Sequence, residues 1–421
     1  MSSHFSSPDY HFRAKDALLG AQNLLIALGA LVMMPMLTGL DPNVALFTAG
    51  LGTLLFQILT KGKVPVFLGS SFAFLPAMIF SVSQWGIPAT MGGMMIAALA
   101  YMLVAALLKM RGLETLEKWV PPIVTGPVII SIGLVLAPIA VNMATGLTGD
   151  GSLALHNENT AMLLAGTSLS VALLTRLFAR GWLSLLPILT GVASGYILAA
   201  FLGVIDWTPV HEAPWFQWPH FTRPEFSLPA AVLFFPLALV SAVEHIGDVL
   251  AISAITGRRF LVDPGAHRTL MGDGLATALA AFFGGPPNTT YSEVTAGVAI
   301  TKAYNPALMT WAALFAVALS FVGKVGAFLQ TIPSPVMGGI MMLLFGTIAV
   351  VGIHLLVNDE QDLMSPRCMT IVAIILIVPV GGLSLSFGEF HLAGVGLGGL
   401  LGVLLNRIIP ETAAQEPAAA S

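Results

Sequence analysis

Long apolar runs alternate with short polar breaks from residue 16 almost to the end of the chain. A helix needs about 20 apolar residues to cross the hydrocarbon core of a bilayer. Runs of this kind fall near 16–38, 42–60, 66–84, 88–109, 120–141, 160–179, 182–203, 228–255, 268–284, 289–303, 306–330, 334–357, 366–385 and 390–409. The pattern predicts fourteen membrane spans. One longer break, 205–226, holds Trp207, Trp215, Phe216, Trp218 and Phe221. Aromatic rings favour the headgroup zone, so this segment reads as interfacial, either a short amphipathic helix or an ordinary loop.

The basic residues give the spans a direction. Arg13, Lys15, Lys61, Lys63, Lys109, Arg111, Lys118, Arg176, Arg180, Arg258, Arg259, Arg268, Lys302, Arg367 and Arg407 all fall on one side of the fourteen-span scheme. Arg223 and Lys324 are the exceptions among 17 Lys and Arg. The positive-inside rule makes that side cytoplasmic, with both termini inside.

Composition agrees with lipid as the main solvent. The chain is 56% hydrophobic and only 9% charged, with a mean hydropathy of +0.89, against roughly 25% charged residues in soluble domains. The net charge of −4 is scattered and leaves no basic patch for nucleic acid. Cys368 is the single cysteine, so no intrachain disulfide forms. The polar N-terminus lacks the apolar core of a signal peptide. The Ala-rich residues 411–421 read as a disordered tail. The expected setting is a bacterial-type inner membrane, crossed many times.

Fourteen spans divide into seven plus seven, and an odd repeat unit makes the two copies inverted. Corresponding spans 3 and 10 are both interrupted. Span 3 opens Pro65-Val66-Phe67-Leu68-Gly69-Ser70-Ser71-Phe72-Ala73, and span 10 is led by Gly284-Gly285-Pro286-Pro287-Asn288-Thr289-Thr290-Tyr291-Ser292-Glu293. Both runs favour extended backbone followed by a half-length helix. Paired interruptions at matching positions mark a transporter binding site, because irregular backbone at membrane depth survives only inside protein or beside a wet cavity. Two half-helix N-termini would offer free N–H groups there.

Four acids lie in or at the ends of apolar spans: Glu244, Asp248, Asp273 and Glu293. A charge at mid-membrane costs about 3 kcal/mol, and the Lys and Arg of the same segments, Arg268 and Lys302, stand at span ends rather than beside the acids. Glu244 and Asp248 stand at i and i+4 on one helix face. Two carboxylates so close do not both ionise freely, so the pair reads as a proton acceptor. His245 reads equally as a functional group or as a residue bonding a backbone carbonyl. Asp273 reads equally as a helix cap or a functional acid. Glu293, in the first turn of the span 10 half-helix, is either a capping carboxylate or a cavity residue facing Glu244. Carboxylates favour a ligand with N–H donors, and half-helix amides favour carbonyl acceptors. An uncharged nucleobase carries both, and Phe72 and Tyr291 could stack on its ring.

These motifs resemble the nucleobase–ascorbate transporters, the second nucleobase–cation symporter family, over nearly the whole chain, and within it the bacterial uracil permeases. The matching stretches are Lys61-Gly62-Lys63 through Gly69-Ser70-Ser71-Phe72-Ala73-Phe74, then Glu244-His245-Ile246-Gly247, Asp263-Pro264-Gly265-Ala266-His267-Arg268, Pro287 through Glu293, and Pro335-Val336-Met337-Gly338-Gly339. The resemblance implies an all-α polytopic membrane protein, a 7+7 inverted repeat with short β-strands and half-helices in spans 3 and 10. It implies a core domain (1–110 and 228–331), a gate domain (111–204 and 332–410) and a periplasmic interfacial segment (205–227), with homodimers formed through the gate. It also implies proton-coupled, elevator-like import of uracil, with Na⁺ as the alternative ion, and no enzymatic activity, cofactor or metal.

By position, Glu244 and Glu293 match the family's base-binding carboxylates, Phe72 its aromatic contact and Ser292 a backbone contact. Glu244, Asp248 and Asp273 are the expected proton-coupling acids, with Gln22, Asn23, Ser71 and His245 in support. The chain also departs from the family pattern. Asn23 stands where His is usual, Val294 and Ala296 replace Asn and Gly, and Asp248 replaces the His of uracil permeases. Purine-transporting relatives tend to carry Asp at 248 and 273, yet usually have Gln at 293. A purine (xanthine or urate) symporter therefore remains the alternative. An anion transporter of the same architecture fits two carboxylates poorly. An intramembrane aspartyl protease would need a second aspartate motif beside Gly272-Asp273-Gly274.

Overall fold

The computed structural model describes residues 9–112, 121–358, 361–387 and 390–410. Lys118 and the expected tail 411–421 lie outside the described residues. Among these, the chain is helical almost throughout. Helices α1 (Ala17–Thr38), α2 (Pro42–Leu59) and α3 (Leu75–Arg111) are followed by α4 (Pro122–Ala144), α5 (Glu158–Phe178), α6 (Pro187–Phe201) and the five-residue α7 (Thr208–Glu212). The second half comprises α8 (Leu228–Thr256), α9 (Ala266–Phe283), α10 (Ser292–Thr301), α11 (Ala307–Ser320), α12 (Gly323–Gln330), α13 (Ser334–Val357), α14 (Pro366–Val380) and α15 (Gly394–Ile408). Strands β1 (Leu68–Ser70) and β2 (Asn288–Thr290) pair with each other, as do β3 (Ser384–Phe387) and β4 (Phe390–Ala393). Pro begins α2, α4, α6 and α14, where a missing N–H costs nothing. Among the described residues, seven segments are long and apolar enough to cross a membrane by length and composition.

Each predicted span contains helix, but several are not simple rods. Spans 3 and 4 join in α3 across a break at Gly86, whose φ of 78° only glycine adopts readily. Span 11 is not continuous: α11 ends at Ser320 and α12 starts at Gly323. There Gln217 N–H donates to Phe321 O (2.9 Å) and Phe216 bridges to Val322, which draws the chain out of the helix. Spans 7 and 14 are shortened alike. A 3-10 segment, Gly181–Leu185, precedes α6, and the β3–β4 hairpin precedes α15. Ser384-Leu385-Ser386-Phe387 alternates polar and apolar, a strand period inside an otherwise apolar stretch. The interfacial segment is mostly irregular, with α7 its only helical turn.

The inverted repeat is visible in the β1–β2 ribbon. The strands run antiparallel, pairing Leu68 with Thr290, Gly69 with Thr289 and Ser70 with Asn288. Ser71 N–H donates to Pro287 O (2.8 Å), and Tyr291 N–H donates to Phe67 O (3.1 Å). On α2, the Thr53 hydroxyl accepts from Leu68 N–H (2.9 Å) and donates to Leu68 O (3.4 Å). On α9, Thr277 accepts from Asn288 N–H (3.2 Å) and donates to Asn288 O (2.9 Å). One threonine per repeat thus satisfies the outer edge of one strand, as buried backbone requires.

Around the ribbon pack α1, α2, α3, α8, α9 and α11, while α4, α5, α6, α13, α14 and α15 form a second group. The second group centres on α4 against α13, which approach through glycines. A Cβ on Gly352 would meet Gly126 O at 2.6 Å, and one on Gly133 would meet Phe345 O at 2.5 Å. On the basic face, Lys63 Nζ holds Asp263 at 2.5 Å and Arg258 holds Asp9 at 2.7 Å. The Lys63 ammonium keeps the exposed Asp263 carboxyl below its ordinary range. Lys324, an exception to the charge pattern, donates to Val210 O (2.6 Å) and His211 O (3.2 Å), binding carbonyls of α7.

Replacing Thr277 by Val keeps the shape and removes both bonds to Asn288. The detergent-solubilised protein is expected to lose about 1–3 kcal/mol of stability, seen as a lower melting temperature, while Thr277→Ser melts near wild type. A Thr277→Val protein that melts like wild type would contradict the edge-satisfying role.

Candidate functional site

The ribbon leads into two helix starts. After β1 comes a 3-10 turn, Phe72–Phe74, and after β2 comes α10; no side chain caps either start. The α8 face opposite carries Glu244, Gly247 and Asp248. A Cβ on Gly247 would meet nothing within 4 Å, so this face looks onto open volume. On α10, Ser292 and Ala296 are exposed and Glu293 is half-buried.

Asp248 ties the two elements together. Its Oδ2 accepts from Thr290 Oγ1 (2.7 Å) and its Oδ1 from Ser292 Oγ (2.7 Å). Both carboxylate oxygens are thus occupied, and the end of β2 and start of α10 are pinned to α8. Glu244 stands one turn earlier, within electrostatic reach of Asp248, Glu293 and Asp273. Ser71 and Ser241 share a hydrogen bond of 3.2 Å, joining the end of β1 to the same helix.

The other predicted acid faces inward. Asp273 and His245 are fully buried, with His245 Nδ1 2.8 Å from Asp273 Oδ2. That contact is a close approach rather than a well-aligned hydrogen bond, since neither imidazole nitrogen has a hydrogen-bond partner of ordinary geometry. Asp273 also accepts from Thr289 Oγ1 (3.1 Å). It lies in the middle of α9, away from the helix start that a capping role requires. His245 meets a carboxylate rather than the backbone carbonyl of the bland reading.

A cavity of about 460 Å³ adjoins these elements, within the range of small-molecule sites. Ser292, Glu293, Ala296, Gly297 and Ile300 of α10 and Leu25 and Ile26 of α1 form one wall. The opposite wall belongs to the second group: Arg176, residues 184–189, Leu343, Leu344 and Thr347. The cavity follows α10 from its start toward Lys302, and so reaches the basic face.

Several expected residues lie off this lining, Glu244 and Asp248 of α8 among them. The Tyr291 ring is buried over Gly69, where a Cβ would be 2.4 Å from Tyr291 Cζ, so it stacks on the ribbon rather than into the cavity. Phe72 is almost wholly buried at the start of its turn. Asn23 donates to Leu19 O (3.0 Å) and lies beside Gly297, while Gln22 is half-buried on α1. Sequence reasoning missed Arg176 and Thr347. Arg176 Nη1 donates to Thr347 Oγ1 (3.2 Å), and the arginine lies within electrostatic reach of Glu293. In the sequence Arg176 is one more positive charge at the end of a span, with nothing to set it opposite Glu293.

Known proteins resemble the chain in sequence and in fold. The chain is similar, at 49% identity over 94% of each sequence, to a "Probable uracil permease" of Pasteurella multocida (strain Pm70). It is 40% identical to the "Uracil permease" of Bacillus subtilis (strain 168), covering 93% of this chain and 91% of that one. To the "Uracil permease" of Escherichia coli (strain K12) it is 36% identical, over 93% and 90%. Among solved structures, the transmembrane domain of the cyanobacterial bicarbonate transporter BicA shares the fold, with a TM-score of 0.66 at 16% identity over 95% of this chain and 99% of that one. Murine Slc26a9 in the inward-facing state does so with a TM-score of 0.68 at 14% identity, over 94% and 68%. Residues 14–386 match the family model Xan_ur_permease, described as "Permease family". The chain is thus a multi-pass membrane protein that belongs to this permease family, the nucleobase–ascorbate transporters.

Proposed function

We propose that this chain is a proton-coupled symporter that imports uracil, or a closely similar base, by elevator-like alternating access. The observation that carries the reading is that Glu244 and Glu293 lie within electrostatic reach of each other beside two uncapped helix starts. Paired carboxylates accept ring N–H groups, and free helix N–H groups serve ring carbonyls. Relatives named uracil permeases support the base. Likeness of fold to a bicarbonate transporter does not extend to its substrate, and two carboxylates at the site would repel an anion.

In this reading fourteen segments cross the membrane. The ribbon-bearing group (1–110 and 228–331) is the moving core, and 111–204 with 332–410 is the gate, through which two copies pair. The basic face is cytoplasmic, with both termini there, so the described state is open to the cytoplasm. Contacts of Lys63 with Asp263 and of Arg258 with Asp9 support a common side for these loops. Asp248 and Asp273 join Glu244 in proton coupling. Asp248 also fastens α10, so its protonation would loosen the mount of Glu293.

Glu293→Gln and Glu244→Gln are each expected to weaken base binding some ten- to a hundredfold, the scale of one charge-assisted hydrogen bond at about 1.5–3 kcal/mol. Glu293→Gln turns an acceptor into a donor and is expected to lose uracil or favour a purine. Equilibrium binding on monodisperse protein checks this, and wild-type affinity in both variants would put the site elsewhere.

Uptake into cells is expected to rise as external pH falls, because the proton enters as a co-substrate, and to collapse with a protonophore. A membrane potential contributes about 2.3 kcal/mol per charge per 100 mV. Asp248→Asn is expected to retain much of the binding but lose the pH-dependent accumulation. Uptake indifferent to pH but dependent on Na⁺ would overturn proton coupling.

Orientation is open to direct labelling. Cysteines at Asn157 and His220 are expected to react with an impermeant maleimide in intact cells, and one at Gly257 to stay unlabelled. The opposite pattern would invert the topology.

A further inference from the structure

Arg176 is placed where a core acid and the gate face each other. It lies in the last turn of α5, in the gate. Thr347 of α13, also in the gate, holds its guanidinium at 3.2 Å. Across the same cavity is Glu293 of α10, in the core. The core surface around Glu293 is acidic, with Glu244 and Asp248 on the neighbouring face of α8. Arg176 therefore brings positive charge to the wall that carries Glu293, from the element group that does not move with it.

We infer that Arg176 is the release-side counter-ion of Glu293: in the cytoplasm-open state it competes with the bound base for that carboxylate. This rests on the base-binding role proposed for Glu293. A base holding Glu293 through a ring N–H must give up that acceptor to leave, and a waiting guanidinium takes the place of the lost bond. Arginine suits the task because its charge is permanent and its planar fork matches a carboxylate. Thr347 occupies one guanidinium nitrogen and leaves the others available. The attraction acts in one state only. When the core carries Glu293 away from the basic face, the gate keeps Arg176 behind. The empty transporter is thereby biased toward the cytoplasm-open state, and a bound base weakens that bias by engaging Glu293.

The inference is tested with purified full-length wild type, Arg176→Gln and Arg176→Lys, each checked for an unchanged melting temperature. Equilibrium binding and dissociation of radiolabelled uracil are measured first. Arg176→Gln is expected to bind up to about fivefold more tightly, the scale of one partly solvated ion pair, and to release uracil more slowly, with Arg176→Lys between the two. The second measurement needs no base. In a Cys368→Ser background, a cysteine at Ile300 on the cavity wall reports cytoplasmic opening by its rate of maleimide labelling. Arg176→Gln is expected to slow that labelling several-fold. Weaker uracil binding by Arg176→Gln would make Arg176 a direct ligand of the base and overturn the inference. Unchanged affinity together with unchanged labelling would reduce it to a loop charge. If wild type binds no uracil, the base reading fails on its own. Slowed labelling would then still uphold the counter-ion, and unchanged labelling would overturn it.

Discussion

Every backbone polar group at membrane depth needs a partner, and the β1–β2 ribbon is this protein's answer to that constraint. Two chain segments from opposite halves leave the helical state and pair with each other. Their outer edges are satisfied by Thr53 and Thr277. Only then can two helices begin in the interior with uncapped N-termini. A continuous helix in either place would have no free N–H groups at this depth, and a single broken one would leave its strand unpaired. The site therefore depends on both repeats at once.

The acids are arranged on two sides of this ribbon. Glu244, Asp248 and Glu293 lie toward the open space, and Asp273 lies with His245 in the interior. Asp248 and Asp273 each bind a hydroxyl of β2, Thr290 and Thr289 respectively, on its opposite faces. In the proposed cycle this gives proton binding a mechanical route. A carboxylate that gains a proton accepts less well, so protonation acts on the strand that leads into Glu293. In the proposed proton-coupled cycle, coupling between proton and base passes through one short strand rather than through bulk rearrangement.

Much of this was legible in the sequence because membrane proteins state their constraints in composition and spacing. The apolar runs gave the helices, and the Pro- and hydroxyl-rich starts of spans 3 and 10 gave the paired interruptions. The i, i+4 spacing of Glu244 and Asp248 gave their common face. What was not legible depends on contacts between distant elements. The break between α11 and α12 follows from bonds to Phe216 and Gln217, some hundred residues earlier. Tyr291 has the chemistry of a stacking residue, but Gly69 leaves room for its ring on the ribbon itself. Arg176 shows the same limit at the site: its meaning comes from what stands across the cavity, which no spacing along one helix contains.

The central claim is that one base lies between the two helix starts with its N–H groups on Glu244 and Glu293. A structure of the protein with uracil bound tests it most directly. The account predicts a ring beside the ends of β1 and β2, with each carboxylate about 2.7–3.2 Å from a ring nitrogen. A base found elsewhere in the cavity, with both carboxylates turned to water, would contradict it.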